Sequence, residues 1–192
     1  MSLRTSLILV AVTAGILGLG FVGVVILGKA AQAMRSAVTS ETARQQFVAK
    51  WRSPTALSPQ VLLPERIGTM TATNRTSFDR APELGVNLPG VRGIYAMPQG
   101  LEVEILACQT RSESEAADRE AAVDALKRTQ DKRAGTKTFF RLNDRCVYSA
   151  SQPSERGELW MLPGWLILFR SDREIPLPFV RAYLEAIAEP DR

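Results

Sequence analysis

The sequence predicts an α+β protein, in which an N-terminal transmembrane helix is followed by a small, mostly antiparallel β-sheet domain with two helices packed on it. Three observations lead to this prediction. An apolar, uncharged segment runs from Ser6 to Gly28, and short β-like segments separated by turn residues recur between residues 91 and 169. Two amphipathic stretches, 112–131 and 176–188, have the spacing of helices that pack on a sheet.

The segment from Ser6 to Gly28 has the length and composition of a membrane-spanning helix. At about 1.5 Å per residue, roughly 23 apolar residues extend about 34 Å, enough to cross the hydrocarbon layer of a bilayer. Four small residues at helical spacing would share one side of this helix: Ala11, Ala14, Gly15 and Gly18. They predict a transmembrane packing face for a second helix, with ordinary glycine tolerance in a lipid-exposed helix as the alternative.

Two further questions concern this N-terminal region. Arg4 and the small residues Ala31-Gln32-Ala33 also fit a signal peptide cleaved after Ala33, but the apolar part exceeds the usual ~7–15 residues, which favours an uncut signal anchor. Lys29 and Arg35 would place the following domain in the cytoplasm by the positive-inside rule. The short, signal-like N-terminus favours the opposite orientation. The expected location is therefore the cell membrane, with the domain on the extracytoplasmic side.

The elements after the anchor are predicted from local pattern. Lys29 to Trp51 is rich in alanine and lacks glycine and proline, which predicts a helical stalk. Three prolines between Ser53 and Pro64 predict an extended linker. The predicted boundaries are 1–28 for the cytoplasmic tip and anchor, 29–65 for the stalk and linker, and 66–192 for the α+β domain.

The first strong hairpin carries the one candidate pair of catalytic acids. Segments 91–97 and 101–108 flank the turn Pro98-Gln99-Gly100. Glu102 and Glu104 alternate with apolar residues, so both carboxylates share one face of the second strand. They could serve as acid and base if the pKa of one were raised. A solvated sheet face explains the same alternation and is the favoured interpretation.

The remaining segments complete the predicted sheet. Ser112 and Glu115 have capping-box spacing at the start of the 112–131 helix. Two more hairpins follow, around 143–144 and around Pro163-Gly164. The apolar run that contains Trp160 and Trp165 predicts central strands covered on both faces. The two indoles are expected to pack in the core, with an exposed interaction patch as the alternative.

Cys108 and Cys146 are the only cysteines in the chain. If the 112–131 helix crosses the sheet, the two hairpins that carry them could lie side by side. We therefore predict that the cysteines are neighbours and form a disulfide in an extracytoplasmic domain, worth about 3–4 kcal/mol in the chain-entropy model. Two buried free thiols are the alternative.

The composition excludes several classes of site. The chain has no histidine, which removes Ser-His and Cys-His nucleophile pairs and every zinc site that uses histidine. Arg4 and Lys29 account for half of the net charge of +4, and the remaining charges are mixed along the chain. This distribution lacks the clustered basic face of a nucleic-acid-binding protein. We expect no metal, no cofactor and no nucleic-acid partner.

These inferences predict a membrane-anchored accessory or interaction protein that presents a non-catalytic domain. Its expected partners are the membrane itself and a protein partner or second copy that packs through the transmembrane helix. The first alternative is a small-ligand sensor with an apolar pocket between sheet and helices. The second, less favoured, is a histidine-independent acid/base enzyme that uses Glu102 and Glu104.

Overall fold

The computed structural model of the protein describes residues 45–54, 56–96, 100–132, 134–142 and 144–188. The chain divides into two compact units, Met1–Lys50 and Trp51–Arg192. In the first unit the described residues, 45–50, are helical. The second unit holds the elements that follow.

The described part of the second unit is organised around one eight-stranded sheet. Its strands are β1 (Arg66–Ile67), β2 (Met70–Phe78), β3 (Gly90–Ala96), β4 (Glu102–Gln109), β5 (Ala134–Leu142), β6 (Arg145–Gln152), β7 (Ser154–Leu162) and β8 (Trp165–Ser171). The spatial order is β1-β2-β3-β4-β8-β7-β6-β5, and each neighbouring pair is antiparallel. The helices are α1 (Pro59–Leu62), α2 (Glu115–Asp131) and α3 (Leu177–Ile187), with a 3-10 turn at Pro82–Leu84.

The sheet consists of two antiparallel meanders joined along β4 and β8. Strands β1 to β4 form the first meander and β5 to β8 the second, and α2 connects them in sequence. The central seam pairs Ile105 with Phe169 and Leu106 with Leu168. The two central strands are apolar on both faces at 105–108 and 165–169, where each face of the sheet is covered by other elements.

One face of the sheet packs against α2. Val123 and Leu126 of α2 belong to the same buried cluster as Leu106 and Leu168 of the seam, and the 3-10 turn adds Leu84. Charged residues occupy the opposite side of α2, which is exposed to solvent, so α2 is amphipathic. We call this side of the sheet the α2 face.

The opposite face packs against α3. Phe169 lies 5.3 Å from Tyr183, measured between ring centroids, in an edge-to-face contact. The Tyr183 hydroxyl donates a hydrogen bond to the Leu62 carbonyl at 2.9 Å, and the Trp51 indole Nε1 donates to the Leu184 carbonyl at 2.9 Å. Residues that the sequence assigns to the stalk and linker therefore pack with α3, and the compact unit begins at Trp51.

The fold-class prediction from the sequence is wrong. The described residues form a mostly antiparallel β-sheet with a few helices, rather than a transmembrane helix joined to an α+β domain. None of the helices formed by those residues combines the length and the apolar character needed to cross a membrane. The segment on which the predicted anchor rested, 6–28, and its packing face at Ala11, Ala14, Gly15 and Gly18 lie outside the described residues.

The predicted disulfide is also wrong. Cys108 and Cys146 are free thiols, and both are fully buried. The physical reason is the strand order, because β8 and β7 lie between β4, which carries Cys108, and β6, which carries Cys146. Three inter-strand steps of about 4.8 Å separate the two strands by roughly 14 Å, well beyond the range of about 4.4–6.8 Å between Cα atoms that a disulfide needs.

Candidate functional site

The α2 face changes from apolar to charged along its central strands. Leu106 and Leu168 lie in the core under α2, and Glu104 and Arg170, two residues away on the same strands, occupy the same face. One row of directly paired residues crosses five strands at this level: Ile94, Glu104, Arg170, Gly157 and Tyr148. This row is the structural basis of the site.

Glu104 is held between two arginines. Arg170 Nε donates to Glu104 Oε2 at 2.9 Å, and Arg92 Nε lies 3.2 Å from Glu104 Oε1. Arg92 also forms an ion pair with Glu83 of the 3-10 turn. All four side chains are partly buried, so their charges are screened less by water than those of exposed pairs. Each oxygen of the Glu104 carboxylate thus faces an arginine within the protein.

Arg170 keeps its charge in spite of its position. Burial alone would lower the pKa of its guanidinium, but the charge of Glu104 and its hydrogen bond raise the pKa above the ordinary value, with smaller contributions from Tyr148 and Glu155. The guanidinium of Arg170 is therefore positively charged and already paired with Glu104.

A cleft of about 510 Å³ opens beside this row. We call it the acidic cleft, and its lining residues are Ile94, Gly100, Glu102, Glu104, Ser154, Glu155, Arg170, Ser171 and Asp172. Four of these residues are acidic and one is basic. Arg170 is paired with Glu104, and the other three acidic residues of the lining, Glu102, Glu155 and Asp172, lie at or next to the ends of β4, β7 and β8.

The hydroxyl groups of the cleft already donate hydrogen bonds within the protein. Ser171 Oγ donates to the Glu102 carbonyl at 2.7 Å, and Ser154 Oγ donates to the Asp172 carbonyl at 2.8 Å. The carboxylates of Glu102 and Asp172 are exposed and carry no ion pair with a described residue. The lining therefore offers hydrogen-bond acceptors to a ligand far more readily than donors.

Tyr148 of β6 contacts one of the residues that line the cleft. Its ring lies over Gly157 of β7, where a Cβ atom would overlap Cε1 and Cζ of the ring. Its hydroxyl donates to Glu155 Oε1 at 2.9 Å. Tyr148 is 3 % exposed, so its ring is packed inside the protein, and its hydroxyl contacts a residue that lines the cleft.

The structure separates the two acids that the sequence singled out. Glu102 and Glu104 share the α2 face and line the acidic cleft, but Glu104 is bound by two guanidinium groups and Glu102 is exposed at the rim. Trp160 and Trp165 are 2 % and 1 % exposed, so both indoles are packed inside the protein and neither forms an exposed patch.

Sequence reasoning missed Arg170, Glu155, Asp172 and Tyr148. One local signal was present, because Arg170 directly follows the apolar stretch 165–169 of a strand predicted to be central. A charge in such a strand requires a partner on a neighbouring strand. The identity of that partner depends on the β4–β8 pairing, which no local pattern reveals. Across the part of the chain that the structure describes, no three acidic or cysteine side chains converge to hold a metal ion.

Comparison with known proteins gives little guidance. No protein-family model matches the chain, and no curated protein matches it. Among solved structures, the chain is similar to a GTP-binding regulator from Thermotoga maritima, with 11 % sequence identity and a TM-score of 0.43. The similarity covers 71 % of this chain and 89 % of that one. A likeness at this level carries no information about the ligand of this protein.

Proposed function

We propose that the unit from Trp51 to Arg192 is a non-catalytic binding module whose acidic cleft takes a small organic cation. The observation that carries this proposal is the cleft itself, with four carboxylates and one guanidinium in its lining. Its volume of about 510 Å³ lies within the range of about 300–1,000 Å³ that is typical of small-molecule sites.

Hydrogen-bond chemistry supports a cation as the ligand. The serine hydroxyls of the lining donate to backbone carbonyls, and the Arg170 guanidinium donates to Glu104. The carboxylates of Glu102 and Asp172 accept hydrogen bonds. An ammonium or guanidinium group supplies donors and positive charge together, which matches these acceptors.

Binding is favoured over catalysis by the position of Glu104. A general acid or base must exchange a proton with a substrate, but both oxygens of Glu104 face guanidinium groups. The cleft is therefore better suited to binding a cation than to acid/base catalysis.

Isothermal titration calorimetry with a defined set of probes tests the proposal. Spermidine, 1,5-diaminopentane and arginine represent organic cations, Ca²⁺ represents an inorganic cation, and citrate represents an anion. We expect at least one organic cation to bind with an affinity that falls as salt is added, and citrate not to bind.

A pair of variants locates the binding in the cleft. The double variant Glu102→Gln/Asp172→Asn removes two exposed charges. Its affinity for the organic cation is expected to fall about tenfold, since exposed ion pairs each contribute up to about 1 kcal/mol. Asp124→Asn, an exposed change on α2, serves as the matched control and should leave the affinity unchanged. Binding of citrate alone, of Ca²⁺ alone, or of no probe would contradict the proposal.

A further inference from the structure

The Tyr148 ring lies closely over Gly157, its cross-strand partner in the sheet. Cross-strand neighbours normally stand side by side, each with its own side chain above the sheet. Here the residue opposite Tyr148 is Gly157, and the tyrosine ring occupies the space that a side chain at 157 would fill. The ring is thereby laid across β7 toward β8, where Arg170 is the next residue in the row.

This placement decides where the Tyr148 hydroxyl points. The hydroxyl meets Glu155, which lies two residues before Gly157 on the same strand and lines the acidic cleft. The bond occupies Oε1 of the carboxylate. Glu155 is half-buried and sits close enough to Arg170 to raise the pKa of that guanidinium. The hydrogen bond from Tyr148 therefore restricts the orientation of the Glu155 carboxylate, which lies near the Arg170 guanidinium.

We propose that Tyr148 is a positioning residue, laid over Gly157 so that its hydroxyl holds Glu155 as a ligand-accepting carboxylate of the acidic cleft. This inference rests on the proposed function, because Glu155 is assigned a role toward a cationic ligand. It extends that proposal by identifying one carboxylate whose orientation is set by the protein, whereas Glu102 and Asp172 are exposed at the rim. Neither Tyr148 nor Gly157 is required to touch the ligand.

Three predictions on affinity follow, each with spermidine as the probe in calorimetry. Tyr148→Phe keeps the ring and loses the hydroxyl, and should weaken spermidine binding about threefold. Glu155→Gln should weaken it by a similar or larger factor. The double variant should bind no more weakly than Glu155→Gln alone, because Tyr148 acts through Glu155 and the two changes are then coupled.

Gly157→Ala tests the steric part of the inference. The added methyl group must displace the Tyr148 ring, and we expect spermidine affinity to fall about tenfold. The chain has three tyrosines, so incorporation of 3-fluorotyrosine should give three ¹⁹F resonances, assigned with single Tyr→Phe variants. Gly157→Ala should move the Tyr148 resonance and leave those of Tyr95 and Tyr183, which pack on the α3 side, in place.

The outcomes separate this inference from the proposed function. If the unaltered protein binds neither spermidine nor the other organic cations, the proposed function fails and the inference falls with it. If it binds spermidine but the effects of Tyr148→Phe and Glu155→Gln multiply, only the positioning role is overturned. An unchanged Tyr148 resonance in Gly157→Ala would likewise overturn it. If Gly157→Ala does not fold, the comparison of Tyr148→Phe, Glu155→Gln and their double variant still tests the positioning role of Tyr148.

Discussion

Burial determines the chemistry of the two cysteines. Burial, together with the nearby charge of Glu83, raises the pKa of the Cys108 thiol to about 12. Burial also raises the pKa of Cys146 to about 11, against an opposing effect of Arg141. Only the thiolate reacts with common labelling reagents, so both groups are chemically inert in the folded protein near neutral pH.

Thiol labelling at pH 8 tests whether the two buried cysteines are unreactive in the folded protein. We expect the native protein to react with neither cysteine over hours and the urea-unfolded protein to react with two, without any reductant. Mass spectrometry after iodoacetamide treatment counts the labels. Fast labelling of the native protein, or fewer than two labels after unfolding, would show that the thiols are exposed or oxidised.

Stability should fall in alkaline solution for the same reason. A thiol whose pKa is raised by folding stabilises the native state fully below its unfolded pKa of about 8.5, and that contribution is lost as the pH rises toward the folded value. For Cys108 the expected loss is about 1–2 kcal/mol of unfolding free energy between pH 8 and pH 10. Urea unfolding of the protein and of Cys108→Ala measures it, because the variant should show a shallower decline. Parallel declines would contradict the assignment.

At the scale of elements, α3 is fixed to the chain around residue 62 by polar contacts as well as by apolar packing. The Tyr183 hydroxyl satisfies the carbonyl of Leu62, and both residues are fully buried. Burial raises the pKa of Tyr183 well above its ordinary value, so the hydroxyl keeps its proton and remains a donor near neutral pH. Loss of this donor would leave a buried carbonyl without its partner.

Tyr183→Phe should therefore lower the unfolding free energy by about 1–3 kcal/mol, the usual cost of an unsatisfied buried acceptor. Leu177→Ala provides a control in the same helix, since Leu177 is 41 % exposed and should change stability by no more than about 0.5 kcal/mol. Chemical denaturation of both variants gives the comparison. Equal effects of the two changes would show that the hydrogen bond contributes nothing beyond helix propensity.

Local elements were largely readable from the sequence, whereas their arrangement was not. The strands at 91–108 and 159–169 and the helix at 112–131 lie within a few residues of β3, β4, β7, β8 and α2. Gly164 has a φ of 75°, as the Pro163-Gly164 turn requires. These features depend on neighbouring residues. The β4–β8 seam depends on segments about 60 residues apart, and it determines both the cysteine separation and the Glu104–Arg170 pair.

On the scale of the whole molecule, the unit that begins at Trp51 buries residues from well before β1. Leu62 and Leu63 are fully buried and Trp51 is 7 % exposed. Each large apolar side chain contributes about 1.5–3 kcal/mol when it is buried. Against a typical total stability of about 5–15 kcal/mol, these three residues are a substantial share. The chain before β1 thus contributes side chains to the core.

Two fragments test this boundary. Fragment 51–192 should unfold cooperatively in urea, because it retains the residues that cover the α3 side of the sheet. Fragment 66–192 should be largely unfolded or unfold at a much lower urea concentration, with far-ultraviolet circular dichroism as the measurement. Equal midpoints for the two fragments would place the start of the stable unit at residue 66 rather than at Trp51.

The hydrogen bond from Trp51 to Leu184 also has a consequence for engineering the chain. It brings the first residue of the folded unit next to the final turn of α3, the last described helix. A unit with adjacent ends can be inserted into a loop of a host protein without stretching that loop. The same adjacency allows the ends to be joined by a short flexible linker and the chain to be reopened at an exposed turn, which would give a circular permutant with the same strand order.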